Sequence, residues 1–323
     1  MDPLSDVLSL LKPCSYISRA FDRSGDWSFQ FPPHEGIKCY AVVTGQCWLA
    51  MDGVVDAVRL EAGDCVLLPH GRPFRLASDL TLTPVDAQTV HSAQQNDGID
   101  SLNVPGECFG FGAHFALAGH HASILLRVLP PIVHIRKESD KAAMRWALER
   151  MTLELREPQP GGFLVAQHVA HLILLQALRL HLGEGVSGRV GWLFALADRQ
   201  ISRAINGMHE NPAHAWTLQE LAERAGMSRS AFAQKFKQTV GQSPMEYLTR
   251  WRMLLAGDRL TGSEDPISVI ALALGYESES AFGAAFKRVM GCSPRQYSRG
   301  RNAWSPAHRA DATVHTDFLE PIA

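Results

Sequence analysis

The sequence predicts a multidomain α+β protein, with an N-terminal β-barrel plus helices and a C-terminal all-α domain containing two helix-turn-helix motifs. Three observations support this. Short β-forming runs alternate with turns between residues 15 and 115, helix-forming sequence follows Pro130, and a fifty-residue repeat lies near the C-terminus. The 323 residues are 46% hydrophobic and 20% charged, with a formal net charge of −2. This composition indicates a folded protein of about two domains and excludes a histone-like polycation.

The predicted barrel consists of short strands separated by turn-forming residues. Residues 39–43 and 46–51 are rich in β-forming side chains and are divided by Thr44 and Gly45. Further strands are predicted at residues 54–60, 65–68, 73–76 and 107–115, and residues 79–104 form a long polar excursion. This spacing is typical of a small antiparallel barrel or jelly roll.

Two helices are predicted after the barrel, at residues 139–157 and 163–182. The second is apolar on nearly every face, which predicts burial on several sides. It could pack against this chain's own barrel or against a second subunit, and the sequence leaves both open. The predicted domains are an N-terminal β domain (1–135), a helical pair available for dimerisation (136–183), a glycine-rich linker (184–190), a helical domain (191–299) and a tail (300–323).

A duplicated sequence pattern identifies the C-terminal domain as two copies of one unit. Seven residues recur fifty positions later in the same order: Phe232, Phe236, Lys237, Gly241, Ser243, Pro244 and Tyr247 reappear as Phe282, Phe286, Lys287, Gly291, Ser293, Pro294 and Tyr297. Upstream, Leu221, Ala222 and Gly226 recur at an offset of forty-nine as Ile270, Ala271 and Gly275. Such a repeat indicates two copies of one supersecondary unit.

Each copy has the pattern of a helix-turn-helix. In the first, Thr217 and Glu220 form a capping box, Gly226 permits the turn, and Ser228 can cap the second helix. Phe232, Phe236 and Val240 then lie on the inward face of that helix, and its outward face presents Arg229, Ser230, Ala233, Gln234 and Lys237. This polar, basic face is suited to the major groove.

The second copy repeats this plan, with Ser278 as cap and Phe282, Phe286 and Met290 facing inward. Its outward face holds Glu279, Ser280, Gly283, Ala284, Lys287 and Arg288. Lys287 and Arg288 are suited to phosphates. A helix over residues 244–260 connects the copies and could set their second helices about one DNA turn, ~34 Å, apart. A lead helix, which precedes the first copy and packs on it, is predicted over residues 192–209.

Residues 216–297 resemble the paired helix-turn-helix domain of the AraC/XylS family of bacterial transcription regulators. The matching segments are 221–232, 236–247, 270–278 and 281–294. The resemblance implies base contacts from Ser230, Ala233 and Gln234, and from Glu279, Ser280 and Ala284. This chain has alanine at 233 and 284, where longer polar side chains are common in the family, so fewer direct contacts are expected from the second copy.

Residues 33–75 resemble a cupin barrel, which implies a domain that senses a small-molecule effector. At the positions where metal-binding cupins carry ligands, this chain has Pro32, His34, Lys38 and Phe74. One imidazole does not hold a catalytic metal, so no metal, no cofactor and no enzyme activity are expected. We expect the effector to contact six residues: His34, Lys38, Tyr40, Trp48, Phe74 and Arg75.

The sequence therefore predicts a transcription regulator that binds double-stranded promoter DNA, with a small-molecule effector, a homodimer partner and RNA polymerase as further partners. No signal peptide and no membrane-spanning run are expected, which predicts a cytoplasmic protein located on the nucleoid when bound to DNA. Two alternatives are kept. One is a redox-sensing regulator that uses Cys14, Cys39, Cys47, Cys65 or Cys108, and the other is a metal-dependent cupin enzyme with a DNA-binding module.

Overall fold

The computed structural model describes residues 2–11, 14–87, 89, 107–116, 126, 129–157, 159–183 and 191–300. The chain divides into two compact units, with the boundary after Asp198. The predicted linker (184–190) and most of the predicted polar excursion and tail lie outside the described residues.

The first unit contains two five-stranded sheets. Helix α1 (Pro3–Leu11) precedes ten strands: β1 (Cys14–Arg23), β2 (Ser28–Phe31), β3 (Ile37–Thr44), β4 (Gln46–Met51), β5 (Val58–Glu61), β6 (Cys65–Leu68), β7 (Phe74–Ala77), β8 (Val85–Asp86), β9 (Cys108–Ala116) and β10 (Val133–Ile135). One sheet has the order β1-β9-β3-β6-β10 and the other β5-β4-β7-β2-β8. This confirms the predicted N-terminal β domain.

The core of the first unit lies between the two sheets and is formed by alternate side chains of the strands. Successive side chains of a strand point to opposite faces, so one set from each strand lies inside. On β3 that set includes Tyr40 and Val42, and on β4 it includes Cys47, Leu49 and Met51. The strand predicted at residues 54–60 is shorter and begins later, at Val58–Glu61, because a turn at residues 52–53 and a bend at residues 55–56 precede it.

Two long helices follow the sheets, α2 (Glu138–Arg156) and α3 (Gly162–Gly183). They pack against one another, and α3 also packs on β1, β6 and β10. Its buried face includes Val169, Ile173 and Ala177. Packing on this chain's own barrel, which the sequence left open, is therefore present. Within the described chain, the segment Gly162–Leu182 has the length and apolarity of a membrane span, although 39% of its most apolar window is buried.

A buried carboxylate joins the barrel to α2. Asp64, in the turn before β6, accepts a hydrogen bond from His134 Nε2 at 2.9 Å, and its Oδ1 lies 2.9 Å from Lys141 Nζ. Burial raises the pKa of Asp64, but the hydrogen bonds from His134 and Lys141 outweigh that effect, so its pKa is lowered. These contacts connect a turn, β10 and a helix that are far apart in sequence.

Seven helices make up the described part of the second unit: α5 (Arg199–Glu210), α6 (Leu218–Ala225), α7 (Arg229–Val240), α8 (Pro244–Gly262), α9 (Ile267–Ala273), α10 (Glu279–Met290) and α11 (Pro294–Gly300). The lead helix predicted over residues 192–209 is wrong as one element. It is divided into α4 (Trp192–Ala195), in the first unit, and α5. Asp198 immediately precedes α5, and aspartate is favoured at the residue before a helix because its side chain can accept from free backbone N–H groups.

Candidate nucleic-acid interface

The first helix-turn-helix consists of α6 and α7. Its start is fixed by reciprocal hydrogen bonds: Thr217 Oγ1 accepts from Glu220 N at 3.2 Å, and Thr217 N donates to Glu220 Oε2 at 2.7 Å. Gly226 ends α6 with φ at +66°, a left-handed conformation that glycine adopts without strain. Ser228 then caps α7 by accepting from Ala231 N at 3.4 Å. The capping box and turn predicted from the sequence are confirmed.

Helix α7 has one buried and one exposed face. Phe232 and Phe236 are fully buried, and Val240 is 6% exposed. On the opposite side Arg229, Ser230, Gln234 and Lys237 are exposed, and Ala233 is half-buried. The polar face of this helix is therefore accessible in the folded unit, as contact with a DNA groove requires.

The second motif, α9 and α10, has the same division. Ser278 Oγ accepts from Ala281 N at 3.2 Å, and Phe282 and Phe286 are fully buried. Five outward residues are exposed: Glu279, Ser280, Ala284, Lys287 and Arg288. Met290, predicted to face inward, is half-buried.

The turn of the second motif packs against the first motif's entry loop. Gly275 has φ at +77°, and a Cβ at this position would lie 2.2 Å from the backbone oxygen of Ala213. A side chain would therefore collide with backbone, which makes glycine necessary here. From the sequence alone Gly275 is only a turn residue, because Ala213 lies about sixty residues earlier in the chain.

The connecting helix α8 is held to both motifs. Its N-terminus carries a second capping box, in which Ser243 N donates to Glu246 Oε2 at 2.8 Å. In its middle, Arg252 donates to the backbone oxygens of Pro212 at 2.5 Å and His214 at 2.7 Å, and its guanidinium lies 5.6 Å from the centre of the Tyr276 ring. Arg252 thus joins the loop before the first motif to the turn of the second. Sequence periodicity contains no signal for this contact.

The exposed faces of α7 and α10 carry four basic side chains. Within the described chain, no ion pair is recorded for Arg229, Lys237, Lys287 or Arg288, whereas Glu279 pairs with Arg295 at 3.8 Å. Glu246 has a lowered pKa, first because of its hydrogen bonds with Ser243 and then because of the nearby charges of Lys237 and Arg288. One cation from each motif therefore lies close to the N-terminus of α8.

In the first unit, four of the six residues expected to contact an effector come together. Lys38 and Tyr40 lie two residues apart on β3, and the Lys38 ammonium is 5.1 Å from the centre of the Phe74 ring. The His34 ring is 6.1 Å from that of Phe74. Trp48 and Arg75 do not join this group. They alternate with the core residues of β4 and β7, so they belong to the opposite faces of those strands.

The cysteines of the first unit are mostly buried. Cys39, Cys47, Cys65 and Cys108 are each at most 3% exposed, and the Cys39 and Cys65 sulfurs are 3.5 Å apart. The side chain of Cys14 lies outside the described residues. Among the described residues, no group of three or more His, Cys, Asp or Glu side chains has metal-binding geometry.

Comparison with known proteins gives two family matches, to a cupin domain over residues 2–183 and to a helix-turn-helix domain over residues 221–300. An AraC-like transcription regulator of Streptomyces antibioticus is 42% identical over 93% of this chain and 99% of its own length. The transcriptional regulator AlkR of Acinetobacter baylyi is 29% identical over 84% of this chain and 91% of its own. Among solved structures, the C-terminal domain of AraT from Geobacillus stearothermophilus is 34% identical, with a TM-score of 0.31 over 32% of this chain and 85% of that domain.

Proposed function

This chain belongs to the AraC-like family of DNA-binding transcription regulators, and on that premise we propose that α7 and α10 enter successive major-groove segments of promoter DNA. The proposal rests on one observation. Two copies of the same helix each bury their phenylalanines and leave their polar face exposed. Because α8 spans nineteen residues, about 28 Å, it has a length suited to placing the two helices about one DNA turn apart.

The two helices contribute differently to recognition. On α7, Ser230 and Gln234 present hydrogen-bonding side chains suited to base edges, and Arg229 and Lys237 flank them. On α10, Ala284 offers no hydrogen bond and Lys287 and Arg288 contact phosphates. The first motif therefore supplies most sequence preference, whereas the second supplies mainly salt-dependent affinity.

The first unit senses a small-molecule effector and forms the homodimer contact. The support for dimerisation is the exposure of five large apolar side chains on α2 and α3, Trp146, Leu153, Phe163, Leu164 and Leu172, which are 46–65% exposed. Exposed apolar groups of this size on neighbouring helices are typical of a contact between proteins. Effector binding shifts the population of DNA-binding states. This shift changes the recruitment of RNA polymerase to the promoter. The protein acts in the cytoplasm.

Sensing of oxidants through the cysteines is the less favoured alternative. A hydrogen bond with Cys39 and then burial raise the pKa of Cys65 well above its ordinary value. The hydrogen bond between Cys47 and Cys108 lowers the pKa of Cys108, but both thiols are buried. Reactive cysteines combine thiolate character with access to solvent, and these thiols lack access.

Selection from a random double-stranded DNA library, followed by footprinting of the enriched sequence, tests the proposal. We expect two protected major-groove segments about one helical turn apart, ~34 Å. Enrichment of no sequence would contradict the proposal. So would protection of only one DNA segment while α10 of the bound protein stays accessible to chemical modification.

A further inference from the structure

We propose that the side chains around Lys38 bind a small organic monoanion, a carboxylate carried on a flat apolar body such as an aromatic ring. This inference depends on the proposed sensing role of the first unit and names the class of molecule sensed. The group of residues, called here the Lys38 cluster, consists of Phe31, His34, Lys38, Tyr40, Phe74 and His114.

The charge of the cluster comes from Lys38. Lys38 is half-buried, and its ammonium lies 5.2 Å from the centre of the Phe31 ring and 5.1 Å from that of Phe74. No acidic partner is recorded for Lys38 in the part of the chain described, and burial lowers its pKa. The aromatic faces stabilise this cation only in part, so a carboxylate that reached it would gain a charge-assisted hydrogen bond.

The neighbouring histidine adds no second charge. Burial first, and then the charge of Lys38, lower the pKa of His34 to about 4, so the ring is neutral at neutral pH. Its Nδ1 donates to the backbone oxygen of Glu35 at 3.3 Å, and its Nε2 is buried with no hydrogen-bond partner in the described structure. One positive charge favours a monoanion over a doubly charged phosphate, which would bring an uncompensated charge into a partly buried site.

The rest of the cluster is aromatic. The rings of Phe31 and Phe74 are stacked at 4.6 Å, with 4° between their planes, and the Tyr40 ring lies 5.4 Å from that of Phe74. Phe74 and Tyr40 belong to the buried core, whereas Phe31 is half-buried, as Lys38 is. The cluster is therefore partly open to solvent and backed by ring surface, which suits a flat apolar ligand.

Strand pairing explains why these residues meet. Lys38 faces His114 across the β3–β9 pair. Phe31 lies opposite Phe74 in the β2–β7 pair, which belongs to the other sheet. The cation comes from one sheet and the stacked rings from the other, so the cluster requires both sheets to be folded.

Calorimetric titration of the full-length protein with four probes tests the proposal without any mutation. Benzoate has the ring and the charge, benzyl alcohol the ring alone, acetate the charge alone, and phenyl phosphate a second charge. We expect benzoate to bind at least about tenfold more tightly than each of the others, a difference of ~1.4 kcal/mol. Equal binding of benzoate and benzyl alcohol, or no binding of benzoate, would overturn the proposal.

Variants assign the charge to Lys38. Lys38→Met, which keeps an unbranched side chain one atom shorter and without the charge, should weaken benzoate binding at least about tenfold. Lys38→Arg should retain binding, and Lys137→Met, at an exposed lysine before α2, serves as the matched control. Unchanged benzoate affinity in a folded Lys38→Met protein would contradict the assignment. DNA footprinting with the same protein samples tests the DNA-binding proposal separately. A protein that still protects DNA but does not need Lys38 for benzoate would count only against the assignment to Lys38.

Discussion

The imidazole of His209 stacks on the indole of Trp251, with 3.8 Å between the ring centres and 12° between the planes, and its Nε2 lies 2.8 Å from the hydroxyl oxygen of Tyr247. His209 belongs to α5, whereas Trp251 and Tyr247 belong to α8. All three side chains are less than 10% exposed. One neutral histidine thus packs the connecting helix against the helix that precedes the first motif.

This arrangement predicts acid-sensitive stability. Burial lowers the pKa of His209 to about 3, compared with 6.5 in an unfolded chain. Between those values the unfolded state binds the extra proton. The contribution of His209 to the free energy of unfolding is therefore complete above pH 6.5 and is lost as the pH falls towards 3, by up to about 1.4 kcal/mol per pH unit.

Denaturant unfolding from pH 7 to pH 4 measures this effect, with His209→Phe as the comparison because phenylalanine keeps the stacking and cannot be protonated. The difference in stability between wild type and variant should change with pH in that window. Parallel curves would mean that another group causes the acid sensitivity.

Replacing Gln234 should relax sequence preference. Gln234 is exposed in the middle of the polar face of α7, where its amide can form paired hydrogen bonds with a base edge. Gln234→Ala should cost about 1–3 kcal/mol on the preferred sequence and little on sequences changed at that base pair. Competitive binding to an operator series measures this, with Gln219→Ala on α6 as control. A uniform loss over the whole series would assign Gln234 to the phosphates instead.

Replacing Lys287 should weaken binding to every sequence alike. Its ammonium is exposed, and no ion pair is recorded for it within the described residues. Loss of one phosphate contact reduces the slope of log K against log salt by about one. Titrations at several salt concentrations for Lys287→Ala, with Arg59→Ala in the first unit as control, measure the slope. An unchanged slope with altered base preference would place Lys287 at a base edge.

A charge in place of one exposed apolar side chain of α2 or α3 should dissociate the proposed homodimer. Phe163 is 65% exposed, so Phe163→Glu should leave the monomer folded while burying an unpaired carboxylate in the contact. Sedimentation velocity over a range of concentrations should show a shift from dimer to monomer. Val55→Glu is the matched control, because Val55 is 98% exposed and lies in the turn region before β5. A wild-type protein that remains monomeric at high concentration would exclude this dimer.

Removing the carboxylate of Asp64 should destabilise the first unit. Asp64→Ala removes one of the two carboxylates that pair with Lys141, the other being Glu138 at 3.1 Å, and leaves His134 without its acceptor, which together typically cost about 1–3 kcal/mol. Thermal unfolding of Asp64→Ala, Lys141→Ala and the double variant completes a double-mutant cycle, which measures the interaction energy of Asp64 with Lys141. Additive effects of the two substitutions would show that Asp64 acts through His134 alone.

Local patterns in the sequence were sufficient to predict the two helix-turn-helix motifs. The capping serines, the glycine that ends α6 and the phenylalanines at four-residue steps act within one or two helical turns, so spacing along the chain predicts their roles. The same holds for β4 and β6, which are bounded by nearby turn residues. The exposed faces of α7 and α10 follow directly from the buried positions of their phenylalanines.

Contacts between distant segments depended on the tertiary structure. Arg252 reaches backbone oxygens about forty residues away, Gly275 packs on Ala213, and Lys141 meets Asp64 across the edge of a sheet. Long polar side chains and backbone groups carry no periodicity that identifies their partners. The same reason explains the Lys38 cluster. The sequence predicted six residues that contact an effector, but only the pairing of strands decided that Phe31 joins the cluster while Trp48 and Arg75 belong to opposite faces of their strands.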